Sequence, residues 1–393
     1  MISRGAKLVI DILNDAGYEA FVVGGCIRDT IIGIPINDWD IATSAVPEEV
    51  KTVFSEYKVI ETGIQHGTVT LLMEGIAYEV TTFRFDSDYH DHRHPVEVKY
   101  SISLKDDLER RDFTMNAIAY HPEEGIVDLF GGVTDIENKI IKCVGDASKR
   151  FEEDSLRILR AIRFSSKLDF EIEDNTKQAM FNKKGLLSFL SKERITKELL
   201  DTLNGQGVSR ALVEYRDIWK EAIDKIYDII TEEVCFDDLA QDEILRLSRL
   251  VLPLSSDDLL VFLRSLRLSK QEEKRVKLIH GHQMIVFNDN VKQLKHLMSR
   301  VSAETFEDLV ELFAIDKDEV RRKYKEIVDN KECYHTSMLA VSGLDLQNLG
   351  VTPSDVGTTL DLIVREIIEE NLENDRDILL AYITGIITKK GSN

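Results

Sequence analysis

The sequence contains little cysteine and little proline, and it has no long apolar run. Its four cysteines, Cys26, Cys143, Cys235 and Cys333, are far apart and form no CxxC pair. This argues against a disulfide framework or a zinc knuckle and fits a reducing cytosol. Only six of the 393 residues are proline and 43% are hydrophobic, as expected of an ordered, compact and largely helical chain. No stretch approaches the roughly 18 apolar residues that span a bilayer. We therefore expect a cytoplasmic protein without a membrane partner.

Basic residues are also in deficit. Fifty Lys and Arg against 71 Asp and Glu give a net charge of −21, which lowers the expectation of non-specific binding to nucleic acid. The balance is different over residues 139–170, where eight basic side chains stand against five acidic ones. A local basic stripe, and not the net charge, decides where phosphate can bind. The composition is therefore compatible with a nucleic acid held in one channel.

Two patterns divide the chain near residue 140. Before it, short runs rich in Val, Thr and aromatics alternate with helical segments, and they predict strands at Ala20–Val23, Asp38–Ile41, Thr68–Met73 and Tyr78–Phe85. After it, apolar residues recur at three- and four-residue spacing, as in Ile244–Val251. We predict an α+β fold, in which a head with a mixed sheet and helices precedes a long all-helical region.

The first strand ends in a glycine pair, Gly24-Gly25, and a helix with Arg28 in its first turn follows. Such a turn leaves backbone N–H groups unpaired at the helix N-terminus, which suits a phosphate. An arginine one turn further along adds charge and a fork of donors. A glycine pair between a strand and a helix is more often only a turn, so this segment alone does not establish a site.

A carboxylate pair follows in Asp38-Trp39-Asp40. Side chains at i and i+2 of a strand point the same way, and two such carboxylates repel each other unless a cation lies between them. Mg²⁺ typically takes one or two carboxylates together with phosphates and waters. Glu79 supplies a third carboxylate if its strand pairs beside the first. We therefore predict that Asp38 and Asp40 bind metal and that Glu79 supports them; the alternative for an isolated DxD is a solvated turn.

Together these segments resemble a known family. Gly24–Asp29, Asp38 with Asp40, and the run Arg110–Asn116 (RRDFTMN) are similar to successive motifs of the class II tRNA nucleotidyltransferase and bacterial poly(A) polymerase family. Residues 61–68 (ETGIQHGT) resemble the CCA-adding branch, whereas the poly(A) branch would carry a basic GRRF-type segment. The resemblance extends to the C-terminal part, including residues 339–346 (LAVSGLDL).

The resemblance implies a polymerase β-like nucleotidyltransferase head at residues 1–140, followed by a helical neck at 141–200, a body at 201–330 and a tail at 331–393. It implies addition of C, C and A to the 3′ end of tRNA from CTP and ATP, with Mg²⁺ as cofactor and without a nucleic-acid template. The expected partners are tRNA and the two nucleotides, with no DNA. The sequence makes no prediction of oligomeric state.

The neck contains the run EEDSLRILRAIRF at residues 152–164. On one continuous helix, Glu153, Arg157 and Arg160 share an arc of about 60°, with Asp154 and Arg163 on its flanks. The simplest interpretation is a solvated face with i,i+4 ion pairs. The resemblance instead implies that Asp154 and Arg157 bind the incoming base.

Hydrogen-bond chemistry supports the second interpretation. Cytosine and adenine present an amino donor beside a ring-nitrogen acceptor, which suit an aspartate and an arginine respectively. Guanine and uracil present a carbonyl beside an N–H, so that pairing leaves like groups facing each other. One Asp–Arg pair can therefore accept CTP and ATP and reject GTP and UTP.

Further nucleotide-binding residues are predicted beside this pair. Arg160 and Arg163 add positive charge near the triphosphate, and the resemblance places Arg111 and Asp112 beside the nucleotide. Asp112 is a candidate for the ribose 2′-hydroxyl; the alternative is that it caps a helix over Phe113–Ala119.

Three other features lie outside these motifs. His90, His92 and His94 alternate, but their run is rich in Asp and ends at a proline, which favours a loop over a zinc site. Residues 191–199 resemble the family's ERIxxEL helix, where Glu193 or Arg194 is expected to brace the base-reading segment. The basic clusters at 264–277 and 321–325 are candidates for tRNA phosphates or simply solvated helix faces.

Several alternatives remain at this stage. Within the enzymes they are a partial CC-adding or A-adding tRNA nucleotidyltransferase, or a poly(A) polymerase. From a different class, the chain could be a non-catalytic RNA-binding protein on the same scaffold. Metal-dependent incorporation distinguishes the enzymes from the last of these.

Overall fold

The structure is a computed structural model that describes residues 2–36, 38–61, 63–86, 98–287 and 290–390. His90, His92 and His94 therefore lie outside the described residues, and so does Thr62 of the ETGIQHGT run. The chain divides into two compact units, Met1–Leu268 and Ser269–Asn393. The borders predicted near residues 140, 200 and 330 remain predictions.

The strands all belong to the first unit. They are β1 (Ala20–Val23), β2 (Trp39–Thr43), β3 (Lys58–Ile60), β4 (Thr68–Met73), β5 (Ile76–Thr82), β6 (Arg84–Asp86), β7 (Val98–Tyr100), β8 (Ile118–His121), β9 (Gly125–Asp128), β10 (Ile140–Ile141) and β11 (Glu171–Ile172).

The helices of the first unit are α1 (Arg4–Asp15), α2 (Gly25–Ile32), α3 (Pro47–Val53), α4 (Leu104–Glu109), α5 (Gly132–Glu137), α6 (Ala147–Glu153), α7 (Leu156–Leu168), α8 (Asp174–Lys183), α9 (Lys192–Leu203), α10 (Val208–Glu214), α11 (Arg216–Ala222), α12 (Ile226–Ile229), α13 (Glu243–Val251) and α14 (Ser256–Ser265). Short 3-10 helices lie at Ile64–His66, Thr114–Asn116 and Lys184–Phe189.

The second unit is helical, with α15 (Lys270–Gly281), α16 (Val291–Met298), α17 (Ala303–Phe313), α18 (Lys317–Asp329), α19 (Gly343–Asn348), α20 (Val356–Ile368) and α21 (Arg376–Lys390), and a 3-10 helix at Thr336–Met338. The predicted α+β class, with a mixed sheet followed by helices, is confirmed. No helix among the described residues has the length and apolar content to cross a bilayer.

Seven strands form one mixed sheet in the order β3-β4-β5-β2-β1-β8-β9. β2 and β5 pair in parallel, and the other neighbours are antiparallel. One face is covered by a core that includes Phe21 and Ala42 from the sheet, Phe83 from the position after β5 and Leu108 from α4. Because side chains alternate along a strand, Asp40 lies on the same face as Ala42. The sheet therefore places a carboxylate at the end of its apolar core.

The predicted strand Tyr78–Phe85 is wrong in its bounds. The pairing starts at Ile76 and ends at Thr82, and a separate strand, β6, begins at Arg84. The break falls at Phe83, whose side chain is fully buried and whose N–H donates to the Thr43 carbonyl at 2.7 Å. Burial of this ring interrupts the strand pairing. The strand propensity of the surrounding residues does not predict such a break.

Helix α7 packs against α9 and against the two-stranded sheet of β10 and β11. Its residues Ile158, Leu159 and Ile162 are completely buried, as the helical spacing predicts. The hydroxyl of Ser166 donates to the Thr202 carbonyl of α9 at 2.6 Å. The opposite face of α7 carries the arginines and is left to line a cavity.

Candidate active site

The carboxylate site begins with the parallel pairing of β2 and β5. This register places Asp40 directly opposite Glu79, so the pairing on which a third carboxylate depended is present. Asp38 lies one residue before β2 and is exposed, as is Glu79, whereas Asp40 is half-buried. The sheet thus brings two carboxylates together across strands and a third two residues upstream.

The electrostatics of Asp40 reflect this crowding. Burial raises the pKa of the Asp40 carboxyl, the nearby charges of Glu79 and Asp38 raise it further, and Arg111 opposes them. An ionised carboxylate that is both buried and beside other carboxylates is stabilised by a bound cation. Oxygen donors of this kind fit Mg²⁺.

These carboxylates would supply only part of the coordination shell of a metal ion. Among the described residues, no group of three or more His, Cys, Asp or Glu side chains has the arrangement of a metal site. Mg²⁺ does not need such a cage, because it usually takes one or two carboxylates and completes its shell with phosphates and water. Asp38 and Asp40 fit that pattern, and their role as metal ligands remains a prediction.

The glycine turn after β1 depends on Gly24. Its φ is +79°, a conformation that residues with a Cβ rarely adopt, and a Cβ there would lie 2.6 Å from Nη1 of Arg111. Helix α2 starts at the next residue, Gly25, so its first N–H groups have no intrahelical partner. In its first turn, Arg28 donates from Nη1 to Oδ1 of Asn116 at 2.7 Å. The predicted phosphate turn therefore faces the Arg110–Asn116 motif.

A cavity of about 520 Å³ adjoins this turn. Nine of the twelve predicted site residues line it: Gly25, Arg28, Asp40, Arg111, Asp112, Asp154, Arg157, Arg160 and Arg163. The remaining three, Asp38, Glu79 and Glu153, do not. The size is that of an ordinary small-ligand site. One cavity thus joins the carboxylate edge, the glycine turn and the base-reading segment.

Six further residues line the cavity without having been assigned a binding role from the sequence: Arg110, Asn116, Leu156, Phe164, Lys167 and Arg194. The first two lie inside the motif that carried the family resemblance, which was a usable signal. With them, eight cationic side chains and three carboxylates face the space. This excess of positive charge suits a polyanion such as a triphosphate.

Asp107 holds two of these arginines in place. It accepts from Nη2 of Arg110 at 2.6 Å and from Nη2 of Arg111 at 3.0 Å. Burial by itself would raise the pKa of Asp107, but Arg111 and Arg110 outweigh it and lower the pKa. Asp107 therefore stays ionised and orients both guanidinium groups toward the cavity.

Asp112 is the centre of a second network. Its Oδ1 accepts from the Phe113 N–H at 2.9 Å and from Nδ2 of Asn116 at 3.0 Å, and its Oδ2 accepts from Nε of Arg160 at 2.8 Å and from Nη2 of the same residue at 2.7 Å. Burial opposes ionisation, but the charge of Arg160 and these hydrogen bonds lower the pKa of Asp112.

Two roles were predicted for Asp112: a helix cap and a contact with the ribose 2′-hydroxyl. The geometry rules out the first and restricts the second. Residues 113–119 do not form a helix that Asp112 could cap, because only Thr114–Asn116 are helical, as a 3-10 turn whose N-cap is Phe113. All four acceptor directions of the Asp112 carboxylate are occupied. A bond from Asp112 to a ribose hydroxyl would therefore replace one of the existing bonds.

The expectation that residues 152–164 form one helix is wrong. Helix α6 ends at Glu153, Asp154 is extended (φ −141°, ψ 103°), and α7 begins at Leu156. The Asp154 side chain accepts from the Leu156 N–H at 3.1 Å. Short polar side chains compete for backbone N–H groups in this way and interrupt helices. Asp154 is thus presented from a break in the helix and not from a helix flank.

Two different partners hold the predicted base-reading residues. Arg194 of α9 donates to Asp154, as expected for the residue that braces this segment. Arg157 donates from Nη1 to Oε2 of Glu153 at 2.7 Å and from Nη2 to the Arg110 carbonyl at 2.7 Å. Glu153 thus contacts Arg157, and it is not part of the cavity wall.

The basic cluster at 321–325 is largely neutralised within the second unit. Arg321 bonds Glu307 and Glu311, and Arg322 bonds Glu319 and Glu326. Arg275, in the other cluster, forms a bidentate pair with Asp308 at 2.6 and 2.7 Å. These contacts favour the interpretation of solvated and internally paired helix faces.

Comparison with known proteins agrees with this geometry. Residues 20–142 match the family described as "Poly A polymerase head domain", and residues 241–383 match the second domain of tRNA nucleotidyltransferases. The fold and the cavity therefore define a nucleotidyltransferase. Curated relatives cover nearly the whole chain. The CCA-adding enzyme of Ligilactobacillus salivarius is 36% identical over 98% of this chain and 97% of its own length. That of Enterococcus faecalis is 37% identical over 96% of this chain and 95% of its own length.

A solved structure gives the same assignment. The Bacillus stearothermophilus CCA-adding enzyme, crystallised in complex with CTP, superposes with a TM-score of 0.86 at 31% identity, covering 99% of this chain and 98% of that one. The chain belongs to the family of CCA-adding enzymes, which are tRNA nucleotidyltransferases.

Proposed function

We propose that this chain adds C, C and A to the 3′ end of tRNA, using CTP and ATP and releasing pyrophosphate, with Asp38 and Asp40 as the metal-binding carboxylates. The observation that carries the proposal is the single cavity in which Asp40, an arginine-rich wall and the Asp154–Arg157 segment meet. It has room for one nucleotide between the carboxylate edge and the base-reading break.

The phosphates are assigned to the positive wall. The first N–H groups of α2 and the guanidinium groups of Arg28, Arg160 and Arg163 converge on the cavity. Charge-assisted hydrogen bonds of this kind are the strong ones in phosphate recognition. Arg111 lines the same cavity, and its charge lowers the pKa of the Asp40 carboxyl.

The base is assigned to Asp154 and Arg157. Three acceptor directions of the Asp154 carboxylate are filled by the Leu156 N–H and by Arg194, which leaves one on Oδ2 for an amino group. Arg157 can only donate, and Glu153 and the Arg110 carbonyl fix its orientation. Cytosine and adenine satisfy both groups, whereas guanine and uracil leave them unpaired.

In the proposed reaction the RNA 3′-oxygen forms a bond to the α-phosphorus, the bond to the β-phosphate oxygen breaks, and pyrophosphate leaves. Mg²⁺, when bound, lowers the pKa of the attacking hydroxyl and stabilises the leaving group. Asp38 and Asp40 would hold the metal, and Glu79 keeps a carboxylate beside Asp40 across the strands. The arginines of the wall stabilise the negative charge of the departing pyrophosphate.

The test is an incorporation assay on tRNA that ends at the discriminator base, with a second tRNA that already ends in CC assayed in parallel. The RNA is incubated with Mg²⁺ and each nucleoside triphosphate, singly and in pairs, and the products are resolved to single nucleotides. We expect two additions with CTP alone, a third only when ATP is also present, and no product without metal. Products that stop at CC, or a single A added only to tRNA already ending in CC, would identify a partial enzyme. A run of A would identify a poly(A) polymerase, and binding without incorporation a silent RNA-binding protein.

A further inference from the structure

Three arginines of the cavity wall share one aromatic ring. The guanidinium carbons of Arg28, Arg160 and Arg163 lie over the ring of Phe164, at 5.1, 5.4 and 4.5 Å from its centroid. All three distances are within the roughly 6 Å at which a cation is attracted to the negative face of a ring. Arg28 comes from α2, whereas the other two come from α7, so the ring connects the two elements that form the positive wall.

Each of the three arginines also has a carboxylate partner. Arg28 pairs with Asp29 at 2.7 Å, Arg160 with Asp112 at 2.7 Å, and Arg163 with Glu198 at 3.0 Å. A carboxylate fixes a guanidinium group but also cancels its charge. An aromatic ring attracts the cation without carrying net charge, so it adds to the positioning and leaves the field of the wall unchanged.

The ring is itself held in place. Phe164 is 5% exposed, and it meets the fully buried Phe113 edge-on, with the centroids 5.8 Å apart and an interplanar angle of 85°. Both rings are on elements of the cavity wall, and Phe164 lines the cavity directly. The carboxylate partners hold each guanidinium group from its own side, and the ring is the one group that all three guanidinium groups approach.

We propose that Phe164 is a positioning residue that holds these three guanidinium groups by cation–π attraction and thereby sets the affinity of the cavity for the triphosphate of the incoming nucleotide. The inference rests on the proposed function, because it assigns the wall to phosphate. It adds a neutral aromatic residue to the phosphate site. The residues predicted for that site from the sequence are all charged, apart from glycine.

The test varies the ring's electrostatics without changing its shape. Phenylalanine at position 164 is replaced in the full chain by mono-, di- and trifluorophenylalanine, which successively weaken the negative face. The dissociation constant of CTP with Mg²⁺ is measured by calorimetry, and KM for CTP and for tRNA by incorporation. Phe164→Leu, which removes the ring altogether, is measured in parallel.

We expect the dissociation constant and the KM of CTP to rise with each fluorine, by about tenfold over the series, while the KM of tRNA changes less than twofold. The matched control is the same series at Phe236, which is likewise a buried phenylalanine of the first unit and has no cation over its ring among the described residues. That series should leave CTP affinity unchanged.

CTP affinity that stays flat along the Phe164 series, with loss only in Phe164→Leu, would show a purely structural ring and overturn the inference while leaving the proposed function intact. Failure of the unmodified chain to bind CTP would instead overturn the proposed function, and the inference with it. A graded loss shared equally by the Phe236 series would also contradict it, since that ring has no arginine to position.

Discussion

Arg194 donates from a single nitrogen, Nη2, to both carboxylate oxygens of Asp154, at 2.9 and 3.2 Å. The two residues are on different elements, α9 and the break between α6 and α7. Both side chains are about one-fifth exposed, so the pair is only partly screened by solvent. The contact fixes the rotation of the carboxylate and leaves one acceptor direction for a base.

The first prediction concerns this contact. Arg194→Ala should reduce the discrimination between CTP and UTP roughly tenfold, because a carboxylate that can rotate no longer presents a single acceptor. The measurement is the ratio of kcat/KM for the two nucleotides. Lys192→Ala is a suitable control, since Lys192 is on the same helix and, within the described part of the chain, its side chain donates to the Arg264 carbonyl at 3.1 Å and not to Asp154. An unchanged ratio in Arg194→Ala would contradict the positioning role.

The second prediction concerns the base-reading residues themselves. Asp154→Ala or Arg157→Ala should relax base choice. The preference for CTP and ATP over UTP and GTP should fall by at least about tenfold. The reason is that each variant removes one of the two groups that guanine and uracil leave unpaired. Selectivity is measured as competitive incorporation on one tRNA. If both variants kept the discrimination of the parent, the base would have to be read elsewhere.

These residues also illustrate how far the sequence could predict the site. The spacing of short segments predicted the glycine turn and the carboxylates, and the family resemblance predicted Asp154 with Arg157; nine of the twelve predicted residues line one cavity. The alternation of the strands also predicted that Glu79 would meet Asp40 if the strands paired, and the register confirms the pairing. Helical spacing identified the buried side of α7.

What the sequence could not predict are contacts between distant elements. Phe164 meets Arg28 only because α7 packs beside α2, and Arg194 meets Asp154 only because α9 packs against α7. The helix break at Asp154 was also missed, since the periodicity of residues 152–164 continues through it. The side chain that causes the break competes with the backbone locally, an effect that hydrophobic spacing does not record.

The third prediction concerns stability and pH. Because the pKa of Asp40 is raised in the folded protein, its ionised form costs stability at pH values above that pKa. The cost disappears as the pH falls below the pKa of the unfolded chain. Asp40→Asn should therefore raise the Tm of the metal-free protein at pH 7, because the substitution removes the cost of the ionised carboxyl.

The change of this Tm gain with pH serves as the control for the third prediction. The gain in Tm should shrink as the pH is lowered through the acidic range in which Asp40 of the parent becomes protonated. Asp38→Asn, at an exposed position, should change the Tm less. Scanning calorimetry without divalent ions measures both variants. A gain that is absent, or that stays constant as the pH falls through that range, would show that crowding of carboxylates is not its source.

The fourth prediction concerns the glycine turn. Gly24→Ala should raise the KM of CTP about tenfold, because the new Cβ displaces Arg111 from its position over the turn. Gly17→Ala separates this effect from backbone strain. Gly17 also has a positive φ, +89°, but a Cβ there has nothing within 4 Å. Both variants should lose roughly 1–2 kcal/mol of stability from the left-handed conformation. A KM that rises equally in both would mean that strain, and not Arg111, is responsible.

The most direct test of the account is the activity of the carboxylate variants. Asp38→Ala and Asp40→Ala are assayed with Mg²⁺, CTP and ATP on tRNA lacking its terminal nucleotides, and tRNA binding is measured in parallel by filter retention. The account predicts loss of incorporation by at least about 1,000-fold in each variant with tRNA affinity largely retained. Substantial turnover in either variant would contradict the assignment of Asp38 and Asp40 as the metal-binding carboxylates of the reaction.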